Sequence, residues 1–150
     1  MRRVVSTAAF AVALSMFAGA PAAWAADWVS VAKSDRVEVF VKTSKLSRTG
    51  DIASARTKEN YVEAQPSAKK GKTYLSARND YRIDCAQRKV AYSENRVFAG
   101  ADLTGEVVQK ATATDKNLQW MDAPAGTVFG ELLDYVCKNA PVAAAAPAKW

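Results

Sequence analysis

Thr73-Tyr74-Leu75-Ser76-Ala77-Arg78-Asn79-Asp80-Tyr81-Arg82-Ile83-Asp84-Cys85 alternates along its length. Leu75, Ala77, Tyr81, Ile83 and Cys85 fall on one side, and Ser76, Arg78, Asp80, Arg82 and Asp84 on the other. A period of two marks a strand with one buried and one wet face. Cys85 therefore points into an apolar layer and the arginines point away from it. The partner for that layer lies near the end of the chain. Phe129, Leu132, Leu133 and Val136 recur at helical spacing within Val128 to Asn139, with Cys137 on the edge of the same stripe. Thr127 is the expected cap, Glu131 and Lys138 suit the two ends of the helix dipole, and Pro141 follows as a stop.

Laying this stripe over the apolar side of the strand brings Cys85 and Cys137 into one interface. These are the two cysteines of the chain, and a bridge between them suits an oxidising compartment. Closing a loop of about fifty residues would stabilise the fold by roughly 4 kcal/mol in the chain-entropy model. The alternatives are two free thiols or a bridge between molecules.

Working outward, Trp28 to Ala32 and Arg36 to Lys42 read as a hairpin across Lys33-Ser34-Asp35, with Val37, Val39 and Val41 on one face. Ser44 to Gly50 reads as loop. Ile52 to Val62 is a weaker strand, because its small and polar residues blur the period. Gln65 to Gly71 is a polar loop. After the turn Ala86 to Arg88, Lys89 to Phe98 returns as a strand, bulged near Glu94-Asn95 where alternation slips. Gly105 to Thr112 is an edge-like strand, and the passage ending at Trp120-Met121 is irregular. The expected class is α+β: an antiparallel sheet of about six strands packed on one C-terminal helix.

Met1-Arg2-Arg3 followed by the apolar run Val4 to Ala18 has the form of a secretory leader, with cleavage expected after Ala25 in Ala23-Trp24-Ala25. Roughly 20 apolar residues are needed to span a bilayer, so a retained membrane anchor is the weaker alternative. Among the small residues of the cleavage region there is no cysteine to carry a lipid. The expected organisation is a leader at 1–25, one domain at 26–139 and a flexible Ala/Pro-rich tail at 140–150. Export to the periplasm, the cell surface or the medium follows, without a lipid anchor or a transmembrane span.

The chain carries 21 Lys and Arg against 15 Asp and Glu. Between Ser67 and Phe98, Lys69, Lys70, Lys72, Arg78, Arg82, Arg88, Lys89 and Arg96 oppose only Asp80, Asp84 and Glu94. A basic face on an exported chain points to anionic partners, whereas nucleic acid is disfavoured by the compartment. The plainer reading of such a face is solvation. The absence of histidine removes the common general base, most zinc sites and the histidine-dependent triads. Asp80 and Asp84 sit beside Arg78 and Arg82 as ordinary ion-pair partners rather than a glycosidase pair. No phosphate-binding glycine loop is present. The chain is expected to be a binding domain and not an enzyme, with no cofactor or metal.

The segment Lys72 to Ala86, the early Trp28, Trp120 ahead of Pro124, and Leu132-Leu133-Asp134-Tyr135-Val136-Cys137 together resemble the surface-adhesin protein E family of Gram-negative bacteria. The resemblance runs from about Trp28 to Lys138. It implies a sheet tied to a C-terminal helix by a disulfide, and adhesion to host matrix or serum proteins such as vitronectin and laminin. Carried over residue by residue, the implied contacts are Lys72, Tyr74, Arg78, Tyr81, Arg82, Arg88 and Lys89. Their cations would meet acidic groups or sulfated glycans, and their tyrosines would offer stacking area. The namesake is lipid-anchored and this chain has no matching cysteine. The alternative is therefore a soluble periplasmic module that binds an anionic envelope component or another ligand and has no adhesive role.

Overall fold

The computed structural model describes residues 27–143. The expected leader lies outside them, and so does the expected tail from residue 144 onward. The elements are β1 (Trp28–Lys33), β2 (Val37–Lys42), β3 (Ser47–Thr49), β4 (Ile52–Pro66), β5 (Thr73–Asp84), β6 (Lys89–Phe98), β7 (Val107–Thr112), β8 (Met121–Asp122) and α1 (Val128–Asn139). The strands form one antiparallel sheet in the order β1-β2-β4-β5-β6-β7, with β3 added to β4 and β8 to β6. The class is α+β, as expected, and the six-strand path is extended by two short additions.

The alternation of β5 is realised from Ala77 to Asp84, whereas Ser76, expected on the wet face, is buried with its hydroxyl donating to the Gly100 carbonyl at 2.6 Å. Ala77, Asn79, Tyr81 and Ile83 are buried, while Arg78, Asp80, Arg82 and Asp84 lie half-exposed between them. On the buried side Val39, Val41, Ala53, Ala55, Tyr81, Ile83 and Val90 form one core with Leu132, Leu133 and Val136 of α1. A smaller cluster of Ala77, Val97 and Val108 packs with Tyr61 and Tyr74. The expected bulge in β6 falls at Ser93, where Asp80 pairs with Glu94 but Tyr81 already pairs with Tyr92.

Helix α1 starts and stops where its signals lie. The Thr127 hydroxyl accepts from the Gly130 amide at 3.1 Å, satisfying one of the open donors of the first turn. The Pro124–Gly126 loop crosses close over the helix: a Cβ on Gly130 would sit 2.0 Å from the Pro124 carbonyl oxygen. Cys85 and Cys137 are bridged, with their Cα atoms 5.8 Å apart.

Three further readings need correction. Ser44 to Gly50 is not all loop, because Ser47–Thr49 pairs with Ile52–Ser54. β4 does not end at Val62 but continues to Pro66, so Gln65-Pro66 belongs to the strand and not to the following loop. Met121-Asp122 is not irregular but pairs with Lys89 and Val90. Residues 140–143, placed by the sequence in the tail, run beside β3. Ala140 is buried, the Arg48 amide donates to the Pro141 carbonyl at 3.1 Å, and the Ala143 amide donates to the Arg48 carbonyl at 2.8 Å.

Candidate functional site

The seven residues suggested by the sequence do not share one surface. Lys72 sits at the loop end of β5 and pairs with Glu106 at 2.6 Å. Tyr74 meets Tyr61 edge-on with centroids 5.5 Å apart. Tyr81 is 1% exposed, so its ring belongs to the core and offers nothing to a partner. Arg88 adopts φ 53° in the turn after Cys85 and reaches back to Asp134 on α1 at 2.6 Å. Lys89 pairs with Asp122 of β8 at 3.2 Å. Of the five cations, Arg78 and Arg82 project on the side of the sheet opposite the helix. Arg82 donates to the Ser54 hydroxyl and pairs with Asp115 at 3.3 Å.

On that open side the pairing register builds a row that no single segment displays. Lys58 lies opposite Arg78, Arg78 opposite Arg96, and Arg96 opposite Lys110, crossing β4, β5, β6 and β7. At the spacing of neighbouring strands, four cations fall along roughly 14 Å. Like charges directly opposite one another destabilise a sheet. Here the cost is relieved by carboxylates lying between or beside them. Glu94 pairs with Arg78 and, at 2.9 Å, with Arg96, while Asp102 from the β6–β7 loop pairs with Lys58. The relief is incomplete. The Nε of Arg78 is buried without a hydrogen-bond partner, and Lys110 is exposed at the edge of the row.

Next to this row, Arg56 grips Asp80 with two bonds of 2.7 and 2.8 Å. The Arg56 guanidinium holds the Asp80 carboxyl below the usual carboxylate range, against the opposing effect of burial. Beyond Lys58 the row ends in aromatic residues. The Lys58 ammonium stands 4.6 Å from the Phe40 ring centroid and 5.4 Å from that of Trp28, and Lys42 stands 5.5 Å from Trp28. A shallow groove of about 260 Å³ runs between Ser54, Arg56, Asp80 and Arg82. The open face thus combines guanidinium groups held by carboxylates, the ammonium groups of Lys58 and Lys110, and two aromatic rings. In general, guanidinium groups suit carboxylates and sulfates, and aromatic rings add contact area at protein interfaces.

The helix side carries a polar centre that the sequence reading missed. Glu59 is 5% exposed. Its Oε1 accepts from the Asn79 amide at 2.8 Å, the Tyr81 hydroxyl at 2.9 Å and, more loosely, the Thr57 hydroxyl at 3.5 Å, and its Oε2 accepts from the Tyr61 hydroxyl at 2.8 Å. Asn95 supports the centre by donating to the Asn79 side-chain oxygen at 2.5 Å. Burial, reinforced by Glu59, raises the hydroxyls of Tyr61 and Tyr81 well above their ordinary value and that of Tyr92 to about 12. These hydroxyls stay protonated and remain donors. The sequence signal was faint: one acid at the parity of Ala53, Ala55 and Thr57. Among the described residues no three His, Cys, Asp or Glu side chains are grouped to hold a metal ion, and no helix is long and apolar enough to cross a membrane.

Residues 28–138 match the family model described as Surface-adhesin protein E. The solved structures that resemble this fold include Haemophilus influenzae protein E, with a TM-score of 0.54 at 10% identity over 77% of this chain and 86% of that one. A second crystal form of that protein gives 0.56 at 10% identity over 77% and 90% of the two chains. Protein E from non-typeable Haemophilus influenzae gives 0.52 at 11% identity over 79% and 80%. At such identities the likeness is one of fold. No curated protein matches the sequence.

Proposed function

The chain belongs to the surface-adhesin protein E family, and from that premise we propose that it is an exported, non-enzymatic binding domain. It attaches to host matrix or serum proteins, or to sulfated glycans, through the open face of its sheet. The observation that carries this reading is the row Lys58, Arg78, Arg96 and Lys110, set by register across four strands. Opposing four cations works against folding, so a sheet that keeps them keeps something other than stability. The aromatic end of the row, Phe40 and Trp28, adds apolar contact area where a protein partner would need it.

This placement moves the proposed surface away from Arg88, Lys89 and Tyr81 and keeps Arg78 and Arg82. Vitronectin, laminin and heparin immobilised in parallel test it. The mature protein binds at low salt and releases as salt rises, because exposed charges are screened over about 8 to 10 Å near physiological ionic strength. The pair of substitutions Lys58→Gln and Lys110→Gln abolishes retention while leaving the circular dichroism spectrum intact. Wild-type protein that binds none of the three at low salt overturns the adhesive reading in favour of a periplasmic module, as does protein shielded from protease on intact cells.

A further inference from the structure

Between α1 and the sheet lies a cavity of about 230 Å³ whose lining includes Glu59, Tyr61, Tyr92, Phe129 and Leu132. Its wall brings one buried acid together with three aromatic rings. We infer that this cavity is a binding site for a small organic cation of the alkylammonium class, held by the Glu59 carboxylate and the rings of Tyr61, Tyr92 and Phe129.

The inference starts from charge. A carboxylate removed from water needs compensation by hydrogen bonds or by a cation. Among the described residues Glu59 has no ion pair, although eleven ion pairs are formed elsewhere. Its hydrogen bonds are also lopsided. Oε1 takes Thr57, Asn79 and Tyr81, whereas Oε2 takes Tyr61 alone. A carboxylate offers about four lone-pair sites over its two oxygens, so the unused capacity is on Oε2.

The walls then select the ligand. Aromatic faces attract cations through the ring quadrupole, most strongly where water is excluded, and aromatic cages of this kind recognise quaternary and alkylated ammonium groups. Val37, Val39 and Leu132 complete an apolar lining, which favours a cation wrapped in methyl or methylene groups over a hydrated metal ion. The first turn of α1, through Val128 and Phe129, also borders the cavity. Its partial positive end is weaker than the full charge of Glu59. The site is independent of the proposed adhesive surface, since Glu59 and the row containing Lys58 project from opposite sides of β4.

The experiment is a chemical-shift titration of the mature protein with choline, with ethylamine, and with 3,3-dimethylbutanol, the uncharged shape analogue of choline. The amines are expected to move the resonances of Tyr61, Tyr92 and Phe129 and to bind at least about tenfold more tightly than the alcohol, a difference of 1.4 kcal/mol. Glu59→Gln keeps acceptors for Asn79 and Tyr81 and is expected to lose the amine response. Should that variant fail to fold, Phe129→Leu, which shortens one wall, is expected to weaken the amines with the fold intact. Equal binding of choline and the alcohol, or no response of the cavity residues to either amine, overturns the site.

Discussion

Arg48 donates from Nη1 to the Cys137 carbonyl at 2.9 Å, joining β3 to the last turn of α1 beside the disulfide. The same residue exchanges backbone bonds with Pro141 and Ala143. One arginine therefore closes an orphan carbonyl of the helix end and holds the chain that follows. Arg48→Ala keeps the backbone pairing and loses the side-chain bond. A charge-assisted hydrogen bond of this kind contributes about 1.5–3 kcal/mol, so urea denaturation is expected to show a lower midpoint with an unchanged slope.

The disulfide is expected to leave no titratable thiol in the denatured, unreduced protein. Replacing both Cys85 and Cys137 with alanine costs about 2–5 kcal/mol and preserves the strand signal, because every sheet pairing is made without them. A melting temperature equal to wild type contradicts this.

Glu59→Ala strands the Asn79 and Tyr81 donors in the core and opens space beneath the helix. Each buried unsatisfied group costs about 1–3 kcal/mol. The variant is expected to be destabilised by at least about 2 kcal/mol, whereas Glu59→Gln is expected to retain more of the lost stability. Equilibrium unfolding of the two side by side decides.

Stability is expected to fall above about pH 10, where tyrosines of the unfolded chain ionise. Burial raises Tyr61, Tyr81 and Tyr92 in the folded state. A group whose folded value is raised stabilises fully below its unfolded value and loses that contribution as pH climbs toward the folded one. Tyrosinate absorbance should therefore rise in a cooperative step that coincides with loss of secondary structure. A smooth, reversible titration of all five tyrosines in folded protein would falsify it.

At the acid end the sign reverses. Asp80 is depressed by its hydrogen bonds to Arg56, so its stabilising contribution is present above about pH 4 and is lost as pH falls through the folded value. Asp80→Asn should flatten part of the acid limb of a stability–pH curve measured by urea denaturation.

The sequence predicted the elements whose pattern is local. β5 and α1 declare themselves by period, and their shared core follows from it. β3 was invisible because Ser47, Arg48 and Thr49 carry no apolar alternation and pair through backbone alone. β4 was read short because Val62, Glu63 and Ala64 are all exposed and its pairing with β5 shifts between Asn60 and Gln65, so no alternation carries the strand on to Pro66. The cation row was hidden for a different reason. Lys58, Arg96 and Lys110 become neighbours of Arg78 through strand register, which no single segment encodes. Arg88 and Lys89 have the charge expected of a contact, but their partners Asp134 and Asp122 lie far along the chain.

The helix that covers the sheet is the last element before Ala140, and its cysteine is bridged to one formed 52 positions earlier. The hairpins of the sheet are assembled from neighbours in sequence and can form as soon as their strands emerge. The covering of Ala53, Ala55, Tyr81 and Ile83 has to await α1. A chain cut short before Val128 would present a paired sheet with one bare, sticky side and an unmatched thiol at Cys85. The covalent tie can close only on a chain that already carries α1.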